Sequence, residues 1–181
     1  MIFFTSDIHF NHTNIIKFCD RPFKNIEQMN ERIIQNINAR CSAEDTLYHI
    51  GDFMFRGGHQ GGKLSAAYFE NQINPKIVHI LGNHDRNNRL KNNIRYAEIW
   101  FANRRWVLQH KPPEETQLRI FPTQAGEAEV YLVGHVHTSW KYKWIEGRLV
   151  INVGIDVWNM FPVTQQEIIV YADRCRKENG N

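Results

Sequence analysis

Short apolar runs that stop abruptly at polar residues set the rhythm of this chain. Ile2, Phe3 and Phe4 lead through Thr5 and Ser6 to Asp7 and His9. Leu47, Tyr48 and Ile50 lead to Gly51 and Asp52. Ile77, Val78, Ile80 and Leu81 lead to Gly82, Asn83, His84 and Asp85. Apolar runs of about 4–8 residues closed by glycine read as buried strands. The pattern predicts strands at 2–6, 46–50 and 76–81, and further ones at 97–101, 105–109, 130–133, 149–153 and 167–171.

Between the first two runs the period changes. Ile26, Met29, Ile33, Ile34 and Ile37 recur at helical spacing, with Glu27, Glu31, Arg32 and Asn36 left for water, so a helix is expected over 26–40. Shorter helical pieces are expected at 15–19, before the break at Arg21, Pro22 and Phe23, and at 64–72. Residues 56–62 form a glycine-rich loop without the Gly-Lys-Ser/Thr ending of a nucleotide-binding loop. Residues 87–93 read as irregular or a short helix. Residues 111–129, with Pro112, Pro113 and Pro122, form a long connection of the kind that serves as a lid or stays disordered. Residues 173–181 read as a frayed polar tail. Strands outnumber helices, and some connections are too short for a helical crossover. The expectation is one α/β domain over residues 1–172, with mixed sheets covered on the outside by helices.

Composition narrows the setting. At 181 residues, 42% hydrophobic and 12% aromatic, the chain can build a core, so disorder is excluded as the default. A formal charge of +3, from 22 basic and 19 acidic residues, tolerates an anionic substrate without demanding nucleic acid. Cys19, Cys41 and Cys175 are scattered, with no Cys-x-x-Cys pair, which argues against a disulfide framework or a thiolate zinc site. No apolar run reaches the ~20 residues of a membrane span, and the first residues lack a signal-peptide pattern. A cytoplasmic protein with no membrane partner is expected.

The chemistry lies where the runs end. Asp7 and His9, Asp52, Asn83 and His84, His110, and His135 and His137 all follow apolar runs. A single histidine there is more often a hydrogen-bonded surface residue than a ligand. Five such endings are hard to assign to chance, because ligands of α/β sheets collect beyond strand ends. With His84 set aside, Asp7, His9, Asp52, Asn83, His110, His135 and His137 give seven donors. That is too many for one ion that keeps a position open, but it suits two ions sharing a carboxylate. Imidazole, carboxylate and amide donors without thiolate favour manganese, with iron, zinc, cobalt or nickel also accommodated. Two adjacent divalent cations trap an anion whose oxygens can span them, such as a phosphoester.

In this order, Asp-x-His, Gly-Asp, Gly-Asn-His-Asp, a lone His and Gly-His-x-His resemble the calcineurin-like metallophosphoesterase superfamily. More narrowly, Phe3 to Ile16 with Arg21-Pro22-Phe23, and Asn152-Val-Gly-Ile-Asp-Val-Trp158, are similar to a group of small bacterial and phage phosphoesterases. The resemblance implies a four-layer α-β-β-α sandwich of two mixed sheets. It implies Asp7, His9 and His137 on one metal, Asn83, His110 and His135 on the other, and Asp52 bridging. The chain departs from larger relatives at Phe55, which stands for the second Asp of Gly-Asp-x-x-Asp-Arg-Gly, and at Asp85, where Glu is usual. The segment before Gly134 lacks the tryptophan and histidine of closer relatives, and Lys111-Pro112-Pro113 replaces an aromatic-proline step.

The expected reaction is hydrolysis of a phosphomonoester or phosphodiester, by attack of a water that two cations ionise near neutral pH. His84, next to Asn83, is the candidate general acid for the leaving oxygen, with Asp85 as its possible orienter. His12, Arg21 and Arg56 are candidate contacts to the substrate phosphate, against an equally weighted reading as surface charge or helix-start bonding. His49, His59 and His79 receive no role. Trp140, Trp144 and Trp158 suit aromatic core better than a stacking wall. The competing readings are a nuclease or cyclic-nucleotide phosphodiesterase, with a nucleotide or nucleic acid as partner, and a non-catalytic interaction scaffold of the same fold. Oligomeric state is not legible.

Overall fold

A computed structural model describes residues 1–56, 64–115 and 129–180. Two five-stranded mixed sheets face each other. The first, in the order β10-β1-β2-β3-β4, contains β1 (Ile2–Thr5), β2 (Thr46–Ile50), β3 (Lys76–Ile80), β4 (Asn93–Ile94) and β10 (Val163–Thr164). The second, in the order β5-β6-β7-β9-β8, contains β5 (Ala97–Phe101), β6 (Arg104–Leu108), β7 (Glu129–Val133), β8 (Tyr142–Ile145) and β9 (Arg148–Asn152). β1, β2, β3 and β4 run parallel, as do β6, β7 and β9. The edge strands β10, β5 and β8 pair antiparallel.

Alternation along each strand divides the core. Phe4, Ile50 and Ile80 point between the sheets and meet Trp106, Leu108, Val130, Leu132, Leu149 and Ile151. Phe3 and Leu47 point outward, against α1 (Ile15–Phe18), α2 (Ile26–Arg40) and α3 (Ala66–Glu70). The periodicity of α2 puts Ile26, Met29, Ile33 and Ile37 on that buried face, each stabilising by about 1.5–3 kcal/mol. Its start is capped by Asn25, whose Oδ1 accepts from Gln28 N at 2.9 Å. On the outer face of the second sheet Val107, Tyr131, Val133 and Val150 form a smaller cluster with Trp140 and Ile145.

The expected strand at 167–171 is instead part of a helix, α4 (Gln165–Glu178). Thr164 and Glu167 form a capping box, and Ile168, Ala172 and Cys175 bury one face at helical spacing. A three-residue apolar run cannot distinguish strand from helix. The same helix absorbs most of the expected tail: residues 173–178 are helical, and Cys175 is buried against the inter-sheet core. Strand β8 was not anticipated. It forms a hairpin with β9 around Gly147, whose φ of +73° suits glycine alone without cost. Helix α3 is shorter than expected, and the segment expected to be irregular or a short helix over 87–93 ends in strand β4 at Asn93–Ile94. Most of the glycine-rich loop, with His59, and residues 116–128 of the long connection lie outside the described residues.

Candidate metal centre

Parallel pairing decides where the polar loops go. β1, β2 and β3 all end at one edge of the first sheet, and β6, β7 and β9 all end at one edge of the second. The bridge between Ser6 and Gly154 brings the two edges together. Beyond them the backbone turns sharply: Asp7 (φ 55°), His9 (54°), Asp52 (59°), His135 (72°) and His137 (46°) all occupy the left-handed region. Such residues cost on the order of 1–3 kcal/mol each and persist only where their surroundings enforce them. Here the enforcement is backbone pairing: Asp7 N to Gly51 O at 2.9 Å and His9 N to Asp52 O at 2.9 Å. The Asp7 carboxylate accepts His135 N at 3.0 Å on both oxygens. Close approach also requires glycine. A methyl at Gly82 would lie 2.2 Å from Asp52 Oδ1, and one at Gly134 would lie 1.9 Å from Ser6 Oγ and 2.5 Å from Asp7 Oδ2.

The seven donors expected from the sequence gather there in two groups. Asp7, His9 and His137 bring ligand atoms within 4.8 Å of one another, and so do Asp52, His110 and His135. Asn83 Oδ1 lies 3.2 Å from His110 Nε2. Asp52 Oδ2 faces both groups, 3.6 Å from His9 Nε2 and 3.4 Å from His110 Nε2. A third group, Cys19, His137 and Asp156, is equally compact, but its Asp156 is already bonded to His137 and Arg21.

The ring of His9 tests whether cations fit. Both nitrogens are buried, and neither has a hydrogen-bond partner among the described residues. Burial holds the imidazole neutral, pushing its pKa down to about 2. A neutral, unpartnered imidazole set between two carboxylates suits a metal ligand, and the mixed oxygen and nitrogen donor set agrees.

The neighbours aim the other rings. His110 Nδ1 donates to Ile50 O at 2.9 Å, which turns Nε2 toward Asp52 and Asn83. His137 Nδ1 donates to Asp156 Oδ2 at 2.9 Å, leaving Nε2 3.9 Å from Asp7 Oδ1. Burial opposes protonation of His137, yet Asp156 outweighs it and raises the pKa to about 10. Burial raises Asp7 to about 6 against the pull of His110 and His137. Burial would also raise Asp52, but the hydrogen bond and charge of His110 hold it well below the usual carboxylate range. Burial and the charge of His110 lower the pKa of His135.

Asp156 had no assigned role in the sequence, although it lies in Asn152–Trp158 just past β9. The signal was the same one that marks the other sites: a polar residue after a buried run. Asn152 also escaped notice. Its Nδ2 donates to His137 O (2.8 Å) and Trp140 O (2.9 Å), holding the His137 loop. Asn30, on α2, accepts from Asn11 N at 3.1 Å behind the His9 loop.

Two expectations are corrected. Arg21 is not positioned as a substrate contact. It is 3% exposed, bonded to Asp156 through Nε (2.8 Å) and Nη2 (3.1 Å), and to the carbonyls of Asp7 (2.6 Å) and Ile8 (2.8 Å). Asp85 does not orient His84. Its carboxylate accepts the N–H groups of Asp52 (2.7 Å), Phe53 (3.0 Å) and Gly82 (2.9 Å), tying the second and third loops together.

His84 stands at the rim, its side chain 37% exposed and Nε2 4.0 Å from Asp52 Oδ2. Its backbone N–H donates to Asp52 Oδ1 at 2.9 Å. The ring meets His9 and Phe55 edge-on, with centroids 5.3 Å and 5.6 Å away. Phe55 therefore supplies packing where larger relatives have a carboxylate. It also stacks on His12, at 4.1 Å and 26°. Burial and the neighbouring His84 push the His12 pKa down to about 4. Arg56 is exposed, with Nη1 donating to Asn87 O at 2.7 Å. His49 and His79 pair inside the first sheet, Nδ1 to Nδ1 at 3.3 Å, and His79 Nε2 meets Glu70 at 3.1 Å. Trp140, Trp144 and Trp158 are partly buried against the two cores of the second sheet, as the aromatic-core reading has it.

Comparison with known proteins bears on the family and the fold. The chain is 32% identical over 177 residues to an uncharacterized protein of Methanocaldococcus jannaschii, covering 96% of this chain and 92% of that one. A solved structure of a protein of unknown function from Aquifex aeolicus superposes with a TM-score of 0.73 at 24% identity, covering 94% of this chain and 98% of that one. Residues 1–173 match the calcineurin-like phosphoesterase superfamily domain. The chain belongs to the calcineurin-like phosphoesterase superfamily.

Proposed function

We propose that this protein hydrolyses a phosphoester with two divalent cations held at the meeting edge of its sheets. One observation carries the reading: Asp52 Oδ2 faces a histidine of each donor group, at 3.6 Å and 3.4 Å, as a carboxylate shared by two ions would. Asp7, His9 and His137 would hold one cation, Asn83, His110 and His135 the other, and Asp52 both. When bound, such a pair supplies an ionised water and neutralises the phosphoryl oxygens. Manganese suits the donor set, with iron, zinc, cobalt or nickel as alternatives.

The rest of the mechanism falls to the chain. Asp156 and Ile50 O hold the rings of His137 and His110 so that Nε2 faces inward. His84, set on the rim with Nε2 4.0 Å from Asp52 Oδ2, gives a proton to the leaving oxygen. His12 and Arg56 are set to receive the substrate. A cytoplasmic location agrees with Cys19, Cys41 and Cys175, all free and buried.

The test is metal content together with hydrolysis. The purified protein should bind two Mn²⁺ per chain and hydrolyse bis-p-nitrophenyl phosphate or p-nitrophenyl phosphate. Asp52→Asn should lower both metal content and turnover. Two bound ions with neither ester hydrolysed would make the protein a scaffold.

A further inference from the structure

Beside Asn83 and His110 a groove of about 600 Å³ opens along the surface, lined by Arg86, Arg95, Tyr96 and Lys111. That volume is in the range of a nucleotide-sized ligand (~300–1,000 Å³) and exceeds what one phosphoryl group fills. The three cations are exposed. Arg104 and Arg105 are paired with Asp173, Glu98 and Glu129, whereas Arg86, Arg95 and Lys111 have no carboxylate partner among the described residues. Glu114 is the acid among the lining residues. Residues 86–97 carry Arg86, Arg89, Lys91 and Arg95 and no acid, so the mild overall charge conceals a local excess.

From the groove the surface continues onto β5, an edge strand. Tyr96, Glu98 and Trp100 alternate on its outer face, with Tyr96 46% and Trp100 62% exposed. Two large aromatic faces in water beside cations that have no carboxylate partner among the described residues are the components of a single-strand platform, where cations follow the backbone and bases stack.

We propose that the groove and the β5 face seat a single-stranded nucleic acid. Its phosphates lie against Arg86, Arg95 and Lys111, and its unpaired bases lie on Tyr96 and Trp100. The scissile diester sits at the Asn83 and His110 end. The assignment rests on the phosphoesterase reading. Water supplies the new bond to phosphorus, and the bond from phosphorus to one sugar oxygen breaks. That oxygen takes a proton from His84, and the proton the attacking water gives up to solvent balances the one His84 regains, leaving one strand end as a phosphate monoester and the other as a hydroxyl. A duplex fits less well, because its base faces are already stacked.

The experiment uses the Mn²⁺-loaded protein and short labelled single strands of DNA and of RNA. Anisotropy titrations at several salt concentrations compare wild type with Arg86→Glu/Arg95→Glu and with Trp100→Ala. Wild type should bind a single strand more tightly than the matching duplex. The double variant should lose roughly 1.4 from the salt slope, about 0.7 per phosphate contact. Trp100→Ala should weaken binding about tenfold. The ratio of kcat/KM for the strand to that for bis-p-nitrophenyl phosphate should fall about tenfold or more in the double variant. A salt slope unchanged by the charge reversals, or tighter binding of duplex, would overturn the proposal. A protein that hydrolyses bis-p-nitrophenyl phosphate but binds no strand would overturn it and leave the phosphoesterase reading intact. A protein that binds the strand and hydrolyses neither ester would overturn the reading beneath it.

Discussion

His137 and Asp156 share a 2.9 Å hydrogen bond, and Arg21 grips the same carboxylate from the other side through two N–H groups. Arg21 also reaches the carbonyls of Asp7 and Ile8. One buried ion pair thus ties the loop after β1 to the loop after β7 and sets the direction in which His137 faces. The candidate ligand His137 is aimed from behind by two fully buried side chains.

Asp156→Asn keeps the shape of that contact but removes its charge. Groups that hold ligating histidines typically contribute 10- to 100-fold in metal affinity. Titration calorimetry should show weaker Mn²⁺ binding in that range, and an affinity within twofold of wild type would disprove the orienting role.

Arg21→Ala separates a structural arginine from a substrate contact. Both partners of the pair have fully buried side chains, so the change leaves the Asp156 carboxylate held by His137 alone and takes the buried donor from the Asp7 and Ile8 carbonyls. The expected loss is about 3–5 kcal/mol in urea unfolding. Unchanged stability with a raised KM would restore the substrate-contact reading.

Gly82→Ala puts a methyl 2.2 Å from Asp52 Oδ1 and 2.4 Å from Asp52 N. The second loop must shift, at a cost of about 1–3 kcal/mol. Elemental analysis of the folded variant should find less bound metal, since Asp52 faces both donor groups. Full loading would show that the loop yields without moving its carboxylate.

Metal affinity should rise with pH. His137 holds a proton up to about pH 10 because of Asp156, and a cation at Nε2 must displace it. Asp7, raised to about 6, adds a second proton that competes below that pH. In each case the protonated form excludes the metal, so affinity falls as pH falls. The slope of log K for Mn²⁺ should start at about one and steepen as pH falls, because His110, also raised above its ordinary value, and then Asp7 take up competing protons. Calorimetry in buffers of different ionisation enthalpy counts the released protons, and a flat profile would contradict both assignments.

His84→Ala should leave metal content intact. Turnover of an alkyl phosphodiester should fall by about 10²–10⁴-fold, because its leaving oxygen needs a proton. The loss should be much smaller with p-nitrophenyl esters, whose leaving group departs unprotonated. Equal losses on both would remove His84 as the acid.

Much of this was legible from local order. The runs before Asp7, Asp52, Asn83, His110 and His135 end where they should because a buried strand must be apolar and its exit need not be. The 26–40 helix announced itself through Ile26, Met29, Ile33 and Ile37. The run 167–171 was misread, because its helical identity rests on the Thr164 and Glu167 capping box and on Ala172 and Cys175 packing into a distant core. Arg21 looked like a free cation, since nothing nearby in sequence announces a carboxylate 135 residues away.

The sequence by itself determined the candidate donors, their order and most of the strands that carry them, since side-chain chemistry and hydrophobic period are local properties. Only the tertiary structure decided how they are used. Parallel pairing brought six strand ends to one line, and left-handed turns aimed the side chains inward. Long-range hydrogen bonds assigned Asp85 to the loops and Arg21 and Asp156 to His137, and set His84 at the rim beside Asp52. Those assignments depend on which carbonyl, carboxylate or cation arrives from another part of the chain, and a linear pattern does not encode that directly.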